Sequence, residues 1–84
     1  MRLDKYLKVS RLIKRRTVAN EACDAERVSV NGKPQRASYD VKVGDRISIR
    51  FGERTVTVEV LEVHETASKA DAPAMWREVT QSEA

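Results

Sequence analysis

Four cations, Arg11, Lys14, Arg15 and Arg16, lie within six residues of one another, at what the sequence predicts to be the start of a helix. Exposed amides at a helix N-terminus carry partial positive charge, so each basic residue there costs roughly 0.3–1 kcal/mol of folding free energy. The same amides, together with these side chains and the Thr17 hydroxyl, can bind an anion such as a phosphate group. An arrangement that opposes folding but suits phosphate indicates a polyanionic partner.

The positive charge of the chain is concentrated in its N-terminal part. Residues 1 to 50 carry 13 Lys and Arg against 6 Asp and Glu, whereas residues 51 to 84 carry 3 against 7. Between Arg2 and Arg16 there are seven cations and a single acid, Asp4. We therefore expect the basic part to face a polyanion and the acidic part to lie away from it.

Two short amphipathic helices are predicted to position these cations. The first, over about residues 2 to 9, has apolar residues at helical spacing and a basic outer face: Leu3, Tyr6 and Leu7. The second, over about residues 15 to 25, has an apolar stripe of small residues that allows close packing: Val18, Ala19, Ala22 and Cys23. The single cysteine is therefore expected to be a buried core residue and not a reactive thiol.

Alternating residues predict an antiparallel sheet of three or more strands. Val28 to Val30 alternate and run into Asn31-Gly32, a dipeptide that favours a hairpin turn with positive φ. A polar connection is predicted over residues 33 to 43, and further strands over residues 47 to 51 and from Val56, with a change of phase near Val60 that indicates a β-bulge or strong twist. The fold class is α+β: two N-terminal helices packed on a small twisted antiparallel sheet, with a short C-terminal extension.

The C-terminal extension contains few large apolar residues. Residues 65 to 74 are rich in Ala, Ser, Lys and Asp around Pro73, which favours a loop or one helical turn. Met75, Trp76 and Val79 are expected to fold back onto the sheet, because an exposed Trp beside a Met would leave an uncovered apolar patch. We assign residues 1 to 79 to a single domain and predict that residues 80 to 84 are disordered.

The residue types argue against catalysis. A chain of 84 residues suffices for one small domain but not for a catalytic domain with a deep cleft. His64 is the only histidine and has no neighbouring Cys, so we expect neither a metal site nor a catalytic triad. The Asp and Glu residues are expected mainly at solvated surface positions. We predict that the protein is not an enzyme and needs no cofactor.

Hydropathy indicates a cytoplasmic protein. No apolar run near the N-terminus exceeds two residues, whereas a secretory signal needs about 7 to 15, and no segment approaches the roughly 20 apolar residues of a membrane span. A peripheral binder of acidic membranes or proteins remains an alternative class. It is disfavoured because it needs exposed bulky apolar residues on a helix, and those of the first helix are required for the core.

Four ordered segments of the chain resemble the S-four RNA-binding domain, whose fold is also called the alpha-L RNA-binding motif. They are Arg2 to Leu7, Lys14 to Thr17, Val28 to Lys33 and Val41 to Asp45. Within this family the chain is similar to the stand-alone bacterial ribosome quality-control factors and, less closely, to the heat-shock ribosome-binding proteins. Glu26 stands where many members have a glycine that closes the second helix; a positive φ there would cost about 1 kcal/mol or more.

The charge pattern and the resemblance together select the residues expected to bind RNA. Those from the two helices and their connection are Arg2, Lys5, Arg11, Lys14, Arg15, Arg16, Thr17 and Asn20, and those after the hairpin turn are Lys33 and Arg36. Among the aromatic residues, Tyr39 is the one candidate to stack on a base. Tyr6 and Phe51 are expected in the core.

The resemblance implies a non-catalytic RNA-binding protein of ribosome-associated quality control. It would bind the large ribosomal subunit through large-subunit rRNA and the stalled peptidyl-tRNA, as a monomer and with no membrane partner. There it would stabilise the tRNA while a tailing factor of the NEMF/RqcH type directs C-terminal alanine tailing. The alternative is a heat-shock-like factor that rescues or recycles large subunits carrying nascent chains.

Overall fold

The computed structural model describes residues 1–65 and 70–79, and it begins with the two predicted helices. Helix α1 spans Leu3–Val9 and α2 spans Arg16–Asp24. Leu3, Tyr6 and Leu7 are fully buried, as their spacing predicts. The small residues Ala19 and Cys23 are buried on α2, which allows the two helices to lie close together. The predicted disordered tail, residues 80 to 84, lies outside the described residues.

Five antiparallel strands form one sheet with the order β2-β1-β3-β4-β5. The strands are β1 Val28–Val30, β2 Lys33–Pro34, β3 Arg46–Phe51, β4 Arg54–Val60 and β5 Trp76–Val79. Ile47 lies opposite Val30 on one side and Val58 on the other, and all three are buried. These cross-strand pairs form the part of the core that the sheet contributes. The two helices and the antiparallel sheet confirm the predicted α+β class.

Two irregularities of the sheet follow the sequence prediction. The turn residues Asn31 and Gly32 have φ of 53° and 85°, as a two-residue hairpin turn requires. Directly after Val60, the amides of Leu61 and Glu62 both donate to the Met75 carbonyl, at 2.8 and 3.1 Å. Leu61 and Glu62 together oppose the single residue Met75, which is the hydrogen-bond pattern of a β-bulge. The pattern lies directly after Val60, where the change of phase predicted a bulge or strong twist.

The segment after the first hairpin turn differs from the prediction. Lys33 and Pro34, expected in a polar connection, form the short strand β2, with Lys33 opposite Val30 and Pro34 opposite Ser29. The tight turn brings these residues back along β1, and β2 lies at the edge of the sheet. An edge strand tolerates proline because one side of its backbone has no neighbouring strand.

The C-terminal residues fold back onto the sheet and also onto α1. A 3₁₀ helix, Ala72–Met75, leads into β5, and Met75 and Val79 are buried as expected. The Tyr6 hydroxyl donates to the Met75 carbonyl at 2.8 Å, and the Trp76 indole N–H donates to the Ser10 carbonyl at 3.1 Å. The end of the domain therefore holds the first helix and the turn that follows it.

Both helices end with a non-glycine residue in the left-handed region. Glu26 has a φ of 59°; its amide donates to the Cys23 carbonyl and the Arg27 amide donates to the Ala22 carbonyl. This pair of hydrogen bonds is the Schellman motif, which favours glycine at the position of Glu26. The strain expected at Glu26 is therefore confirmed, and Arg11, after α1, shows the same backbone with a φ of 63°.

The expectation that Phe51 belongs to the core is wrong, because its side chain is 47% exposed. Phe51 is the last residue of β3 and pairs with Arg54 beside the turn into β4. At this end of the sheet α2 covers the strand only in part, and Val18 of the predicted apolar stripe is itself 46% exposed. Cys23, by contrast, is buried as predicted, and its burial raises the pKa of the thiol to about 11.

Candidate RNA-binding site

Asp4 is a buried carboxylate at the centre of the basic region, with only 3% of its side chain exposed. Its Oδ1 accepts hydrogen bonds from the Lys5 amide at 2.8 Å and from Arg2 Nε at 3.2 Å. Its Oδ2 accepts from Asn20 Nδ2 at 3.3 Å and from Arg16 Nε and Arg2 Nη2, both at 3.4 Å. One acid on α1 thus organises cations from both helices.

This carboxylate is charged at neutral pH. Burial alone would raise the pKa of Asp4, but the hydrogen bonds from Arg2, Asn20, Arg16 and the Lys5 amide outweigh it and lower the pKa below its ordinary value. The negative charge offsets the repulsion between the two arginines and fixes their position. We call Asp4, Arg2, Arg16 and Asn20 the Asp4 cluster.

The two arginines of the Asp4 cluster still face solvent. About half of each side chain is exposed, 52% for Arg2 and 49% for Arg16. Arg16 contacts Asp4 through Nε, which leaves its Nη groups for an outside acceptor. A guanidinium held on one side and exposed on the other is suited to a phosphate, because its remaining N–H groups keep a fixed direction.

The predicted basic helix start is present beside the Asp4 cluster. Helix α2 begins at Arg16; its N-cap residue, Arg15, makes no side-chain capping hydrogen bond, and the first turn contains no acid. Lys14, Arg15, Arg16 and Thr17 are all exposed. The amides of this first turn and the surrounding cations therefore lie together at the surface, as an anion site requires.

Arg11 and Lys5 extend this surface in different ways. Arg11 is exposed and has a strained left-handed backbone conformation after α1. The preceding residue, Ser10, accepts a hydrogen bond at its carbonyl from the Trp76 indole N–H. Lys5 is only one-third exposed and forms an ion pair with Glu65. An anion that binds Lys5 must therefore compete with a carboxylate of the same chain.

The two candidates after the hairpin turn, Lys33 and Arg36, lie on other elements than the basic helix start. The carbonyls of Ala37 and Tyr39 accept the amides of Asp4 and Leu3, at 3.2 and 2.8 Å, so the loop carrying Arg36 is fixed to the start of α1. Arg36 itself lines a groove of about 700 Å³ together with Asp24 and Glu26. Lys33 is exposed on the edge strand β2.

Tyr39, the candidate for base stacking, is partly buried against the core. Its hydroxyl donates to Asp45 Oδ2 at 3.0 Å. The ring therefore has a structural role, with only part of its surface left for another contact. Stacking of Tyr39 on a base stays a prediction.

Sequence reasoning missed the role of Asp4. The acids were expected at solvated positions, but Asp4 is among the most buried residues of the chain. It lies in the first turn of α1, where its carboxylate can meet the start of α2, and five donors compensate its burial. The available signal was its isolation, since it is a single acid among seven cations.

The described residues offer no group of three or more His, Cys, Asp or Glu side chains placed to hold a metal ion. None of the helices in residues 1–65 and 70–79 is long and apolar enough to cross a membrane.

Comparison with known proteins agrees with the fold. Residues 1–47, which contain α1, α2 and the first hairpin, match the model of the S4 domain. The "RQC P-site tRNA stabilizing factor" of Bacillus subtilis is 55% identical over 76 residues, covering 90% of this chain and 88% of that protein. The protein of the same name from Streptococcus pneumoniae is 50% identical over 82 residues, covering 98% of this chain and 93% of its own.

A solved structure shows the same architecture over almost the whole chain. It is the trimeric structure of Vibrio cholerae Heat Shock Protein 15, with a TM-score of 0.89 and 27% sequence identity, covering 99% of this chain and 85% of that one. The chain belongs to the S4 domain family, and within that family it is similar to the bacterial proteins named RQC P-site tRNA stabilizing factor.

Proposed function

We propose that this protein binds RNA on the large ribosomal subunit and acts in ribosome quality control, in the cytoplasm and without catalysis. The observation that carries the proposal is the Asp4 cluster, which fixes two half-exposed arginines beside an uncapped basic helix start. The names of the relatives, which describe them as stabilising tRNA in the P site, support the same kind of partner for this chain.

The mechanism is positioning by preformed contacts. Asp4 holds Arg2 and Arg16 in place before RNA arrives, so binding costs less side-chain entropy than it would with free arginines. Phosphates bind to the outer N–H groups and to the helix amides, and the shape of the RNA selects where the small domain fits. The bound domain then favours one position of the tRNA and forms no covalent bond.

In more detail, the proposed role is to stabilise tRNA during C-terminal alanine tailing. The protein stabilises the stalled peptidyl-tRNA on the large subunit while a tailing factor of the NEMF/RqcH type directs C-terminal alanine addition. It does so as a monomer. The proposed contacts extend from Arg2 and Lys5 through Arg11 and the helix start to Thr17 and Asn20, and they include Lys33 and Arg36.

A second candidate function is the rescue or recycling of large subunits that carry nascent chains. The structural match to a heat shock protein favours it, because the shared architecture covers 99% of this chain and 85% of that one. The two functions differ in one respect that can be measured. Stabilisation of tRNA requires contacts with the tRNA itself, so binding should depend on peptidyl-tRNA. A rescue or recycling factor that recognises only the subunit binds whether or not peptidyl-tRNA is present.

Co-sedimentation with purified large subunits, with and without peptidyl-tRNA, tests the proposal. We expect binding to increase with peptidyl-tRNA and to be lost in Arg16→Ala and strongly reduced in Arg16→Lys, because an ammonium group cannot supply a guanidinium fork. Arg77→Ala is the matched control: Arg77 lies on β5, where it pairs with Glu59, and should not affect binding.

Each other outcome contradicts a defined part of the proposal. Binding that is indifferent to peptidyl-tRNA would replace tRNA stabilisation by general subunit rescue. Equal loss in Arg16→Ala and Arg77→Ala would show that net charge, and not the Asp4 cluster, determines the affinity. Absence of binding at moderate salt would contradict a ribosomal partner altogether.

A further inference from the structure

A second exposed surface lies between α2 and the end of β3. It is a groove of about 470 Å³ whose floor includes Val18 and Ala22 of α2 and Phe51 of β3. Three cations, Lys14, Arg27 and Arg50, line the same groove and are all exposed. We call it the Phe51 groove. Only Lys14 belongs to the basic helix start described above.

Two of the four large apolar side chains that are exposed in the described part of the chain lie together in the Phe51 groove. Val18 and Phe51 are 46% and 47% exposed, and both line this one groove. Large apolar side chains that lie exposed together mark interaction sites more often than scattered ones do. Aromatic residues and arginines are also the types most enriched at the centre of protein interfaces.

Charge defines the chemistry of the occupant. No acid lines the groove among the described residues, so its rim is wholly positive at neutral pH. A complementary partner must combine large apolar side chains with carboxylates. We propose that the Phe51 groove binds an acidic amphipathic segment of a partner protein, whose apolar side chains lie on Val18 and Phe51 and whose carboxylates pair with Lys14, Arg27 and Arg50.

The floor favours such a segment over RNA. Val18 and Ala22 present only aliphatic groups, whereas unstacked bases are recognised by stacking on aromatic rings or guanidinium planes and by hydrogen bonds to base edges. In this groove only Phe51, Arg27 and Arg50 offer such planes. A single half-exposed Phe51 is a small stacking platform, and the remaining surface suits aliphatic side chains. The cations at the rim attract phosphates and carboxylates alike. The apolar residues of the floor therefore determine whether the groove binds RNA or an acidic protein segment.

Two segments of the printed sequence lie outside the described residues and offer no matching occupant. Residues 66 to 69 are Thr-Ala-Ser-Lys and residues 80 to 84 are Thr-Gln-Ser-Glu-Ala, and neither segment contains a large apolar side chain. We therefore assign the occupant of the Phe51 groove to a partner protein. Because Lys14 is shared with the basic helix start, that occupant would lie directly beside bound RNA. This docking does not depend on the RNA-binding function.

NMR titration of the ¹⁵N-labelled full chain tests the docking. The probe is a synthetic amphipathic helix with Leu on one face and Glu on the other, compared with one peptide carrying Gln for Glu and one carrying Ser for Leu. We expect the Leu-Glu peptide alone to shift the amides of Val18 and Phe51. Arg27→Glu and Arg50→Glu should weaken its binding by about tenfold or more, as lost charge pairs at an interface do.

Two matched controls separate the groove from general effects. Lys42→Glu reverses an exposed cation elsewhere, and Val43→Ser removes an exposed apolar side chain away from the groove; neither should change the affinity. Phe51→Ser should abolish binding. Since both charge reversals affect exposed side chains only, they report on docking even if Phe51→Ser disturbs the fold.

The remaining outcomes overturn the proposal. Failure of the Leu-Glu peptide to shift Val18 and Phe51, or equal binding by the Gln peptide, would exclude a charge-complementary acidic partner. Shifts at Phe51 caused by single-stranded polyuridine instead of the peptide would assign the groove to RNA. Shifts at Phe51 that grow with protein concentration alone would assign it to a second copy of the chain.

Discussion

Asp4 connects two arginines that are fourteen residues apart in the chain, since it accepts hydrogen bonds from both Arg2 and Arg16. A buried carboxylate is stabilising only while all of its donors remain in place. Its removal would leave the guanidinium groups of Arg2 and Arg16 without their common acceptor. Asp4, the negatively charged member of the Asp4 cluster, thus maintains the positions of its two arginines.

Asp4→Asn should weaken both the fold and RNA binding. An amide presents N–H donors to a cluster of donors, so we expect the free energy of unfolding to fall by about 1–3 kcal/mol at neutral pH. The affinity for RNA should also fall, because Arg2 and Arg16 lose their fixed positions. Urea unfolding and large-subunit binding measure the two effects, and Asp24→Asn on the exposed end of α2 is the control.

The stability that Asp4 contributes should depend on pH in a defined direction. The pKa of Asp4 is lowered by folding, so its contribution is complete above the unfolded value of about 3.9 and is lost as the pH falls through the folded value. The difference in unfolding free energy between wild type and Asp4→Asn should therefore be constant near neutrality and shrink below about pH 4. A difference that grows on acidification would contradict a lowered pKa.

At the scale of elements, the two helix ends provide a natural comparison. Glu26 and Arg11 both have a left-handed backbone that glycine adopts without strain. Glu26 lies at the far end of α2, outside the Asp4 cluster, whereas Arg11 lies in the connection that carries the basic surface. Replacing each by glycine separates backbone strain from the function of the side chain.

Glu26→Gly and Arg11→Gly should each raise the free energy of unfolding by up to about 1 kcal/mol, because a left-handed residue with a Cβ costs that much. Only Arg11→Gly should also weaken RNA binding, since only it removes a cation from the surface. Denaturant unfolding and subunit binding of both variants measure this. Ala25→Gly, at a negative φ of −84°, should destabilise instead; stabilisation by all three would refute the strain explanation.

Periodicity and turn residues predicted the helices and strands better than they predicted which side chains would be buried or exposed. The spacing of Leu3, Tyr6 and Leu7 and the Asn31-Gly32 turn predicted α1 and the first hairpin, because these signals are local. Burial of Asp4 and exposure of Phe51 depend on what the rest of the fold brings nearby, which no local pattern contains. The basic surface was therefore predicted from its cations, and the acid that organises it was not.

For the whole molecule, the distribution of charge sets the strength of binding. The sheet order places β2 and β5 at opposite edges, and the acid-rich part of the sequence forms β4, the 3₁₀ helix and β5. The basic helices and their connection come from the other part of the sequence. A molecule with such an uneven field binds polyanions through released counterions, so its affinity must depend on salt.

If the basic surface contacts about five phosphates, the logarithm of the affinity for large subunits should fall with the logarithm of salt concentration with a slope of about −3.5 to −4.5. Arg16→Ala should make the slope less steep by about 0.7–0.9, the share of one phosphate contact. Arg77→Ala should leave it unchanged. Filter binding across a salt series measures the slope, and a flat response would contradict an electrostatic mechanism.

The contacts of Met75 and Trp76 with α1 have a consequence for the synthesis of the protein. They join residues 69 and 66 positions apart in the chain, Tyr6 with Met75 and Ser10 with Trp76. A nascent chain cannot form both contacts until residues 75 and 76 have emerged from the exit tunnel of the ribosome that makes it. The turn that carries Arg11 is therefore held in place only late in translation, so the basic surface reaches its final geometry only when most of the chain has been made.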